Sequence, residues 1–160
     1  MVELVAWSDA DSWLLERCNT PKMTAYLGGP ETAEQLASRH EPYVANAFPG
    51  QMYTIRTAQG ETAGSIGYWE HEEGGETVWE TGWAILPEYQ GKGLATAAIA
   101  EVAKVAAGAG THRTLHAYPG VENAASNALC RKAGFTFLEA RDFEYPKGHW
   151  MSCNDWVLEL

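Results

Sequence analysis

Apolar and polar residues alternate with a period of two along several short segments, and this period is typical of half-buried β-strands. The segment 51–57 shows it most clearly, and the segments 62–71 and 77–86 follow it. Residues 58–61 and 72–76 separate these segments, and both separators are polar and contain glycine, as hairpin turns do. The pattern therefore predicts an antiparallel meander in the middle of the chain.

Helical periodicity and turn residues predict four helices and four further strands around this meander. Pro42 marks a point at which the second helix could be interrupted. The strand, helix and strand across residues 83–118 favour a parallel pair, whereas hairpins join other strands. We therefore predict an α+β (mixed α/β) fold with a mixed, mostly antiparallel sheet flanked by helices. The helices are expected over residues 10–18, 32–47, 94–107 and 123–134, and the strands over residues 2–7, 114–118, 136–145 and 151–160.

Length and composition predict one domain over residues 1–160. No apolar run approaches the ~18 residues of a membrane span, and the N-terminus lacks the basic and apolar regions of a signal peptide. The three cysteines, Cys18, Cys130 and Cys153, are odd in number and lack metal-binding spacing. We therefore expect reduced thiols, no metal and a cytoplasmic location.

Acidic residues outnumber basic ones by 21 to 11, and the formal net charge is −10. This charge argues against nucleic acid as a partner, because phosphate binding needs clustered Lys and Arg. It would attract a cationic substrate, although an acidic surface that serves solubility alone explains the charge equally well. The seven tryptophans are more unusual, and some of them could line a pocket.

A glycine-containing loop joins an apolar strand to a long apolar helix. Its sequence is Gln90-Gly91-Lys92-Gly93-Leu94-Ala95. Glycines let the backbone approach a bound group closely. The first amides of a helix have no partner within it, so the arrangement predicts a site for a phosphate-bearing ligand.

Three kinds of phosphate loop can be compared with this one. A mononucleotide P-loop would need Ser or Thr after its lysine, and here Gly93 follows Lys92. A dinucleotide loop would need a third glycine where Thr96 stands. An acyl-CoA loop has the pattern Q/R-x-x-G-x-G/A, which Gln90, Gly93 and Ala95 fit.

At this loop the chain resembles the GNAT superfamily of N-acetyltransferases, and residues 80–90 and 123–135 extend the resemblance on either side. The resemblance covers nearly the whole chain and is strongest over residues 82–135. It implies the GNAT fold, in which two neighbouring parallel strands splay apart. It also implies acetyl-CoA as co-substrate and a primary amine as acceptor. The pattern is closest to the branch of ribosomal-protein N-terminal acetyltransferases.

The resemblance also implies how acetyl-CoA is held. Backbone amides of the loop hold the pyrophosphate, and the pantetheine arm pairs with the free edge of the strand before the loop. Asn123 reaches the CoA arm or, alternatively, caps its helix. The residues assigned to the cofactor are Trp83, Ala84, Ile85, Gln90, Gly91, Lys92, Gly93, Leu94, Ala95, Asn123, Ser126 and Cys130.

Four small polar residues share one face of the helix that follows residue 122, because they are spaced i, i+3, i+4 and i+7. They are Asn123, Ser126, Asn127 and Cys130. Where Cys130 stands, many relatives carry a tyrosine that protonates the CoA thiolate. A cysteine could take this role, although a plain buried thiol is the simpler interpretation. Ser126 is the other catalytic candidate, as a hydrogen-bond donor to the departing sulfur.

Glu80 is the candidate general base, because amide formation needs a neutral amine and a carboxylate can take its proton. Glu80 shares a strand face with Val78, Gly82 and Ala84, and an apolar setting raises the pKa of a carboxyl group. The alternative is a structural glutamate paired with Lys or Arg. Weaker candidates for the same catalytic role are Glu70, His71 and His116.

A small cationic amine, such as an aminoglycoside-type antibiotic, is the preferred acceptor, and a protein N-terminus is the alternative. A non-catalytic acyl-CoA-binding module is a further alternative, and a homodimer through the C-terminal strands is compatible with the pattern. We expect acidic residues to form a rim around the acceptor and tryptophans to offer flat faces to an ammonium group or a sugar. The rim residues are Glu72, Glu73, Glu76, Asp142, Glu144 and Asp155, and the tryptophans are Trp69, Trp79, Trp83 and Trp150.

Overall fold

The computed structural model describes residues 1–144 and 147–160, and within these ranges seven strands form one sheet flanked by helices. The strands are β1 (Val2–Ala6), β2 (Gly50–Thr57), β3 (Thr62–Glu73), β4 (Glu76–Ile85), β5 (Thr114–Ala117), β6 (Thr136–Glu144) and β7 (Trp150–Glu159). The α-helices are α1 (Ser12–Cys18), α2 (Ala33–Ala45), α3 (Leu94–Ala109) and α4 (Ala124–Lys132). Strands and α-helices follow one another in the predicted order.

The strands lie in the order β1-β2-β3-β4-β5-β7-β6, and each described pair is antiparallel except β4 with β5. The parallel pair is short, since only Trp79 with Leu115 and Glu80 with His116 face each other. β4 then continues to Ile85 without a described strand partner on that side. The predicted mixed sheet with splayed parallel strands is confirmed, and we call the gap between β4 and β5 beyond these two pairs the cleft.

Two apolar clusters hold the helices against the two faces of the sheet. On one face, α3 packs Ala98, Ile99 and Val102 into a cluster that includes Ile55 of β2. Ala98 and Ile99 lie four and three positions before Val102, so the three residues form one apolar stripe. Met52 of β2 points to the opposite face, where it joins a cluster containing residues of α1. None of the described helices has the length and hydropathy needed to span a membrane.

Three helices differ from the prediction in where they end, and one of them, α4, ends at Lys132 rather than at Gly134. α3 passes through Gly108 and ends before Gly110, whose φ of 69° provides a left-handed C-terminal cap. Pro42 lies inside α2 without interrupting it, and the helix ends before Asn46, which also has a positive φ. The end of a helix is therefore determined here by the residue that adopts the left-handed conformation.

The turn between β3 and β4 is shorter than predicted. It contains only Gly74 and Gly75, with φ values of 58° and 86°, as a two-residue hairpin turn requires. Glu72 and Glu73 therefore belong to β3, and their side chains point to opposite faces of the sheet. The predicted C-terminal end of β6 and the turn after it fall partly on residues 145–146, which lie outside the described residues.

The side chain of Asn127 attaches α4 to β7. Its nitrogen donates to the carbonyl groups of Gly120 and Asn123, at 2.9 and 2.8 Å. Its oxygen accepts from the Asn154 amide and the Trp156 indole, at 2.9 and 2.8 Å. An asparagine amide has two donor and two acceptor positions, so this side chain is fully satisfied. The position of α4 beside the cleft depends on these four hydrogen bonds.

We expect Asn127→Ala to lower the free energy of unfolding by about 2–4 kcal/mol, because it leaves the Trp156 indole and a backbone carbonyl unpaired. Lys132→Ala, at the exposed end of the same helix, is the control and should change it by less than about 0.5 kcal/mol. Urea unfolding followed by tryptophan fluorescence measures both values. Equal stability of the two variants would show that other contacts hold α4.

Candidate functional site

The glycine loop before α3 has the conformation of an anion site. Gly91 and Gly93 adopt φ values of 75° and 77°, and a Cβ added to either would meet no atom within 4 Å. Gly93 is the N-cap of α3, so the amides of Leu94 and Ala95 lack partners within the helix. The buried hydroxyl of Thr96 has no hydrogen-bond partner among the described residues. Free amides, an unpaired hydroxyl and open space suit a phosphate group.

Two polar side chains near the loop shape it and add charge to it. The Gln90 amide donates to the Ile85 carbonyl at 2.9 Å, which ties the loop to the end of β4. The exposed Lys92 ammonium lies 5.6 Å from the centroid of the Tyr89 ring, within cation–π distance. Gln90 therefore acts on the loop conformation through its side chain, and Lys92 places a positive charge on the loop.

The free edge of β4 presents alternate backbone groups to the cleft. The Ala84 carbonyl points at Gly64 of β3, where it would clash with an added Cβ. Because the hydrogen-bonding direction alternates along a strand, the backbone of Trp83 and Ile85 points to the cleft. The Ile85 carbonyl is already bonded to Gln90. The prediction that the backbone of Ala84 pairs with the pantetheine arm is therefore corrected, because this backbone faces β3. The Trp83 backbone and the Ile85 N–H remain available to the arm.

The predicted face of α4 divides into exposed and buried parts. Asn123 caps α4 by accepting from the Ser126 amide at 3.2 Å. The half-buried Ser126 hydroxyl makes no hydrogen bond with the described residues, so it can serve a ligand. Cys130 is 0% exposed in the apolar core, and burial raises the pKa of its thiol to about 12. Its predicted contact with the cofactor is not supported, because no ligand can reach the thiol.

Glu80 lies on the β4 face opposite α3, at the last residue pair before β4 and β5 separate. The Trp69 side chain, from the residue paired with Glu80 on β3, lies across the bare backbone of Gly82. The Nδ1 atom of His71 is 3.5 Å from its Oε1 atom. Burial raises the pKa of Glu80 to about 7, against smaller opposing effects of Trp69 and His116. Among the described residues, no Lys or Arg pairs with Glu80, so the structural alternative is not supported.

The β3–β4 hairpin curls over this face, so that the end of β3 meets β6 although three strands lie between them in the sheet order. Glu73 forms an ion pair with Arg141 of β6 and accepts a hydrogen bond from the Tyr118 hydroxyl at 2.6 Å. The Nε2 atom of His71 lies 3.3 Å from the same carboxylate. We call the space between these residues and Glu80 the polar chamber.

A buried pair, His116 and Asp155, also faces the polar chamber. Nδ1 of His116 lies 2.7 Å from Oδ1 of Asp155, and Nη1 of Arg141 lies 3.5 Å from the other carboxylate oxygen. The expected acidic rim is therefore wrong for Asp155 and Glu73, because both carboxylates turn inward to Arg141. Trp79 is also excluded as a substrate surface, since its ring is 3% exposed and packs in the cluster beneath α3.

A comparison with protein families identifies the class of enzyme to which this fold belongs. A family model described as the acetyltransferase (GNAT) domain matches residues 2–136. The chain belongs to the GNAT acetyltransferase family. This confirms the predicted class of enzyme. No curated protein matches the chain.

Solved acetyltransferase structures share the fold of this GNAT domain. An aminoglycoside acetyltransferase in complex with coenzyme A matches with a TM-score of 0.78 and 18% identity, over 99% of this chain and 95% of that one. Spermidine N-acetyltransferase from Vibrio cholerae, in complex with CoA and spermine, matches with a TM-score of 0.80 and 18% identity, over the same shares. An acetyltransferase from Salmonella typhimurium that modifies the N-terminal serine of ribosomal protein L7/L12 matches with a TM-score of 0.80 and 20% identity, again over 99% and 95%.

Two residues of the polar chamber of this GNAT domain, Tyr118 and Arg141, were not predicted from the sequence. Neither lies in the acyl-CoA loop or on the α4 face. The contact between Tyr118 and Glu73 joins positions 45 residues apart, which no local pattern indicates. The sequence nevertheless contains one indication that Arg141 has a specific partner. Arg141 is a lone basic residue between Glu139 and Asp142, in a strand that otherwise carries only acidic charges.

The raised pKa of Glu80 predicts a pH-dependent stability difference. The folded protein holds this proton up to about pH 7, whereas an ordinary glutamate releases it near 4.5, so stability falls as the pH rises between these values. Glu80→Gln should therefore be more stable than wild type at pH 8, by at most about 3 kcal/mol, with a smaller difference at pH 5. Thermal unfolding measures this difference, and Glu76→Gln, at the exposed start of β4, is the control. Parallel pH curves for wild type and Glu80→Gln would contradict burial of an ionisable Glu80.

Proposed function

We propose that this GNAT domain binds acetyl-CoA in the cleft between β4 and β5 and transfers the acetyl group to a primary amine. The position of Glu80 carries the proposal, because a carboxyl group with a pKa near neutrality lies where the two strands separate. The glycine loop supports it, since the open amides before α3 suit the pyrophosphate.

The chemistry assigns a separate task to each group. An amine attacks a thioester only when neutral, and most aliphatic amines are protonated at pH 7. Glu80 takes that proton, and a base is most effective when its pKa lies near the working pH. Acetyl-CoA supplies the thioester when bound, and the backbone of Trp83 and Ile85 pairs with its pantetheine arm. The Ser126 hydroxyl donates a hydrogen bond to the departing sulfur.

The acceptor is a small cationic amine. The net charge of −10 attracts cations, and the four remaining rim carboxylates are exposed, those of Glu72, Glu76, Asp142 and Glu144. The aminoglycoside and spermidine acetyltransferases with the same fold act on such amines, which supports this choice. The Salmonella enzyme supports the alternative acceptor, a protein N-terminus.

Self-association through β6 stays a prediction. β6 pairs with β7 only and forms one edge of the described sheet. Phe137 and Leu138 are exposed on it, and an exposed apolar edge strand can pair with a second copy.

Gly93→Asp should weaken acetyl-CoA binding at least about tenfold, because a carboxylate beside the pyrophosphate repels it. Gly93→Asn is the matched control, since it places a side chain of the same size at a φ of 77° without a charge. Calorimetric titration with acetyl-CoA measures both affinities, and circular dichroism checks the fold. Unchanged affinity in the Asp variant would contradict binding of the pyrophosphate at this loop. An equal loss in both variants would show that the added side chain, and not its charge, weakens binding.

The specificity constant for a polycationic acceptor should fall several-fold as the salt concentration rises from about 0.01 M to about 0.15 M. Dissolved ions screen the charges and shorten the range of their attraction. CoA release with aminoglycosides, polyamines and short peptides with free N-termini identifies the acceptor class. Faster turnover of a peptide, without acetylation of any small amine, would favour the alternative acceptor. Binding of acetyl-CoA with no release from any amine would favour the non-catalytic module.

A further inference from the structure

Acetylation of an amine releases one proton in every turnover. A protonated amine and acetyl-CoA give a neutral amide, a neutral thiol and one proton. Under the proposed function Glu80 receives that proton from the amine, so the 22% of its side chain that is exposed is the part that the amine covers. Glu80 must lose the proton before it can act again, so the site needs a route to solvent.

The imidazole of His71 stands between two carboxylates. Its Nδ1 atom is 3.5 Å from Oε1 of Glu80, and its Nε2 atom is 3.3 Å from Oε2 of Glu73. Contacts of this length in an unliganded site commonly tighten to hydrogen bonds when substrate binds. The side chain of His71 is 28% exposed, so the ring connects Glu80 with solvent.

The surroundings of Glu73 determine which nitrogen of His71 carries the proton. Arg141 and the Tyr118 hydroxyl both bind the Glu73 carboxylate, and these contacts favour its ionised form. An ionised carboxylate accepts a hydrogen bond from Nε2–H, which leaves the lone pair of Nδ1 facing Glu80.

The imidazole is also kept neutral. Burial lowers the pKa of His71, and His116 and Arg141 lower it further, against Asp155 and Glu72, which raise it. A neutral ring is ready to receive a proton at neutral pH. The titratable and charged groups that face it are Glu73 from β3, Glu80 from β4, His116 and Tyr118 from β5, Arg141 from β6 and Asp155 from β7, while Glu72 follows it in the chain on the opposite face of the sheet.

We propose that His71 relays protons from Glu80 to solvent, a role that rests on the proposed function. The O–H bond of protonated Glu80 breaks as an N–H bond forms at Nδ1 of His71. Glu73 stabilises the resulting imidazolium through Nε2–H. The imidazolium then gives its Nδ1 proton to water, which restores the neutral Nε2–H ring and leaves Glu80 ionised for the next amine.

The other histidine of the polar chamber does not offer this route. Nδ1 of His116 is bonded to Asp155, and the side chains of this pair are 6% and 3% exposed. A proton placed on His116 would therefore have no direct path to solvent. Within the described residues, His71 contacts Glu80 and is also open to water.

His71→Gln separates the relay from the chemical step. At pH 8 and in dilute buffer, we expect kcat to fall about 10- to 100-fold while KM for the amine stays within about twofold. The first turnover should keep the wild-type rate, because Glu80 begins ionised, so stopped-flow should show a burst of one CoA per site. Added imidazole should restore the slow phase in proportion to its concentration. His112→Gln is the matched control, since His112 lies 2.6 Å from Glu70, outside the polar chamber, and this variant should behave as wild type.

The outcomes distinguish the relay from the proposed function. A slow first turnover that imidazole does not change would make His71 a positioning residue for Glu80 and overturn the relay. An unchanged kcat would overturn it as well. A wild-type protein that acetylates no amine would instead contradict the proposed function.

Nuclear magnetic resonance tests the geometry without an acceptor. Imidazole nitrogen spectra of the wild-type protein should show His71 as the Nε2–H tautomer, and Glu73→Gln should shift the balance toward Nδ1–H. A wild-type His71 in the Nδ1–H form would overturn the relay, whatever the acceptor.

Discussion

The separation of β4 from β5 after two residue pairs is the constraint on which the rest of the structure depends. Unpaired backbone N–H and C=O groups are costly when they lose contact with water. The protein limits this cost at one end of the gap, where the Gln90 amide donates a hydrogen bond to the Ile85 carbonyl. Asn127 holds α4 beside the gap. Between these two contacts, backbone groups that an ordinary sheet would bond internally are left for another molecule.

The gap also determines how charge is distributed on the face opposite α3. Glu73 and Asp155 share the guanidinium of Arg141, whereas Glu80 has no cationic side chain of this kind beside it. Burial therefore dominates at Glu80 and raises the pKa of its carboxyl group. Glu80 can therefore exchange protons near neutral pH.

The sequence predicted the features that depend on local pattern. The strand period, the glycine loop and the parity that places Glu80 opposite the α3 face are all encoded over a few consecutive residues, and the family match bears out the class that they indicate. The length of the β3–β4 turn was not predictable, because either Glu73 or the glycines after it could have formed the bend. Because the turn is shorter than predicted, Glu73 lies in the polar chamber and not at an exposed hairpin tip.

Other features depend on tertiary contacts that no spacing records. The burial of Cys130 follows from how closely α4 approaches α3, and the inward direction of Asp155 follows from the curl of the hairpin toward β6. Periodicity identifies the face on which a side chain lies. It does not identify the element from another part of the chain that covers that face.

The guanidinium of Arg141 comes from β6, which has β7 as its one strand neighbour in the described sheet. Edge strands separate from a sheet at a lower free energy than central strands, because fewer backbone hydrogen bonds retain them. Transient detachment of β6 would withdraw the counter-charge of two carboxylates at once and raise the negative potential around the amine. The electrostatic state of the reacting centre is thus coupled to the local unfolding of the sheet margin, several strands away from the cofactor loop.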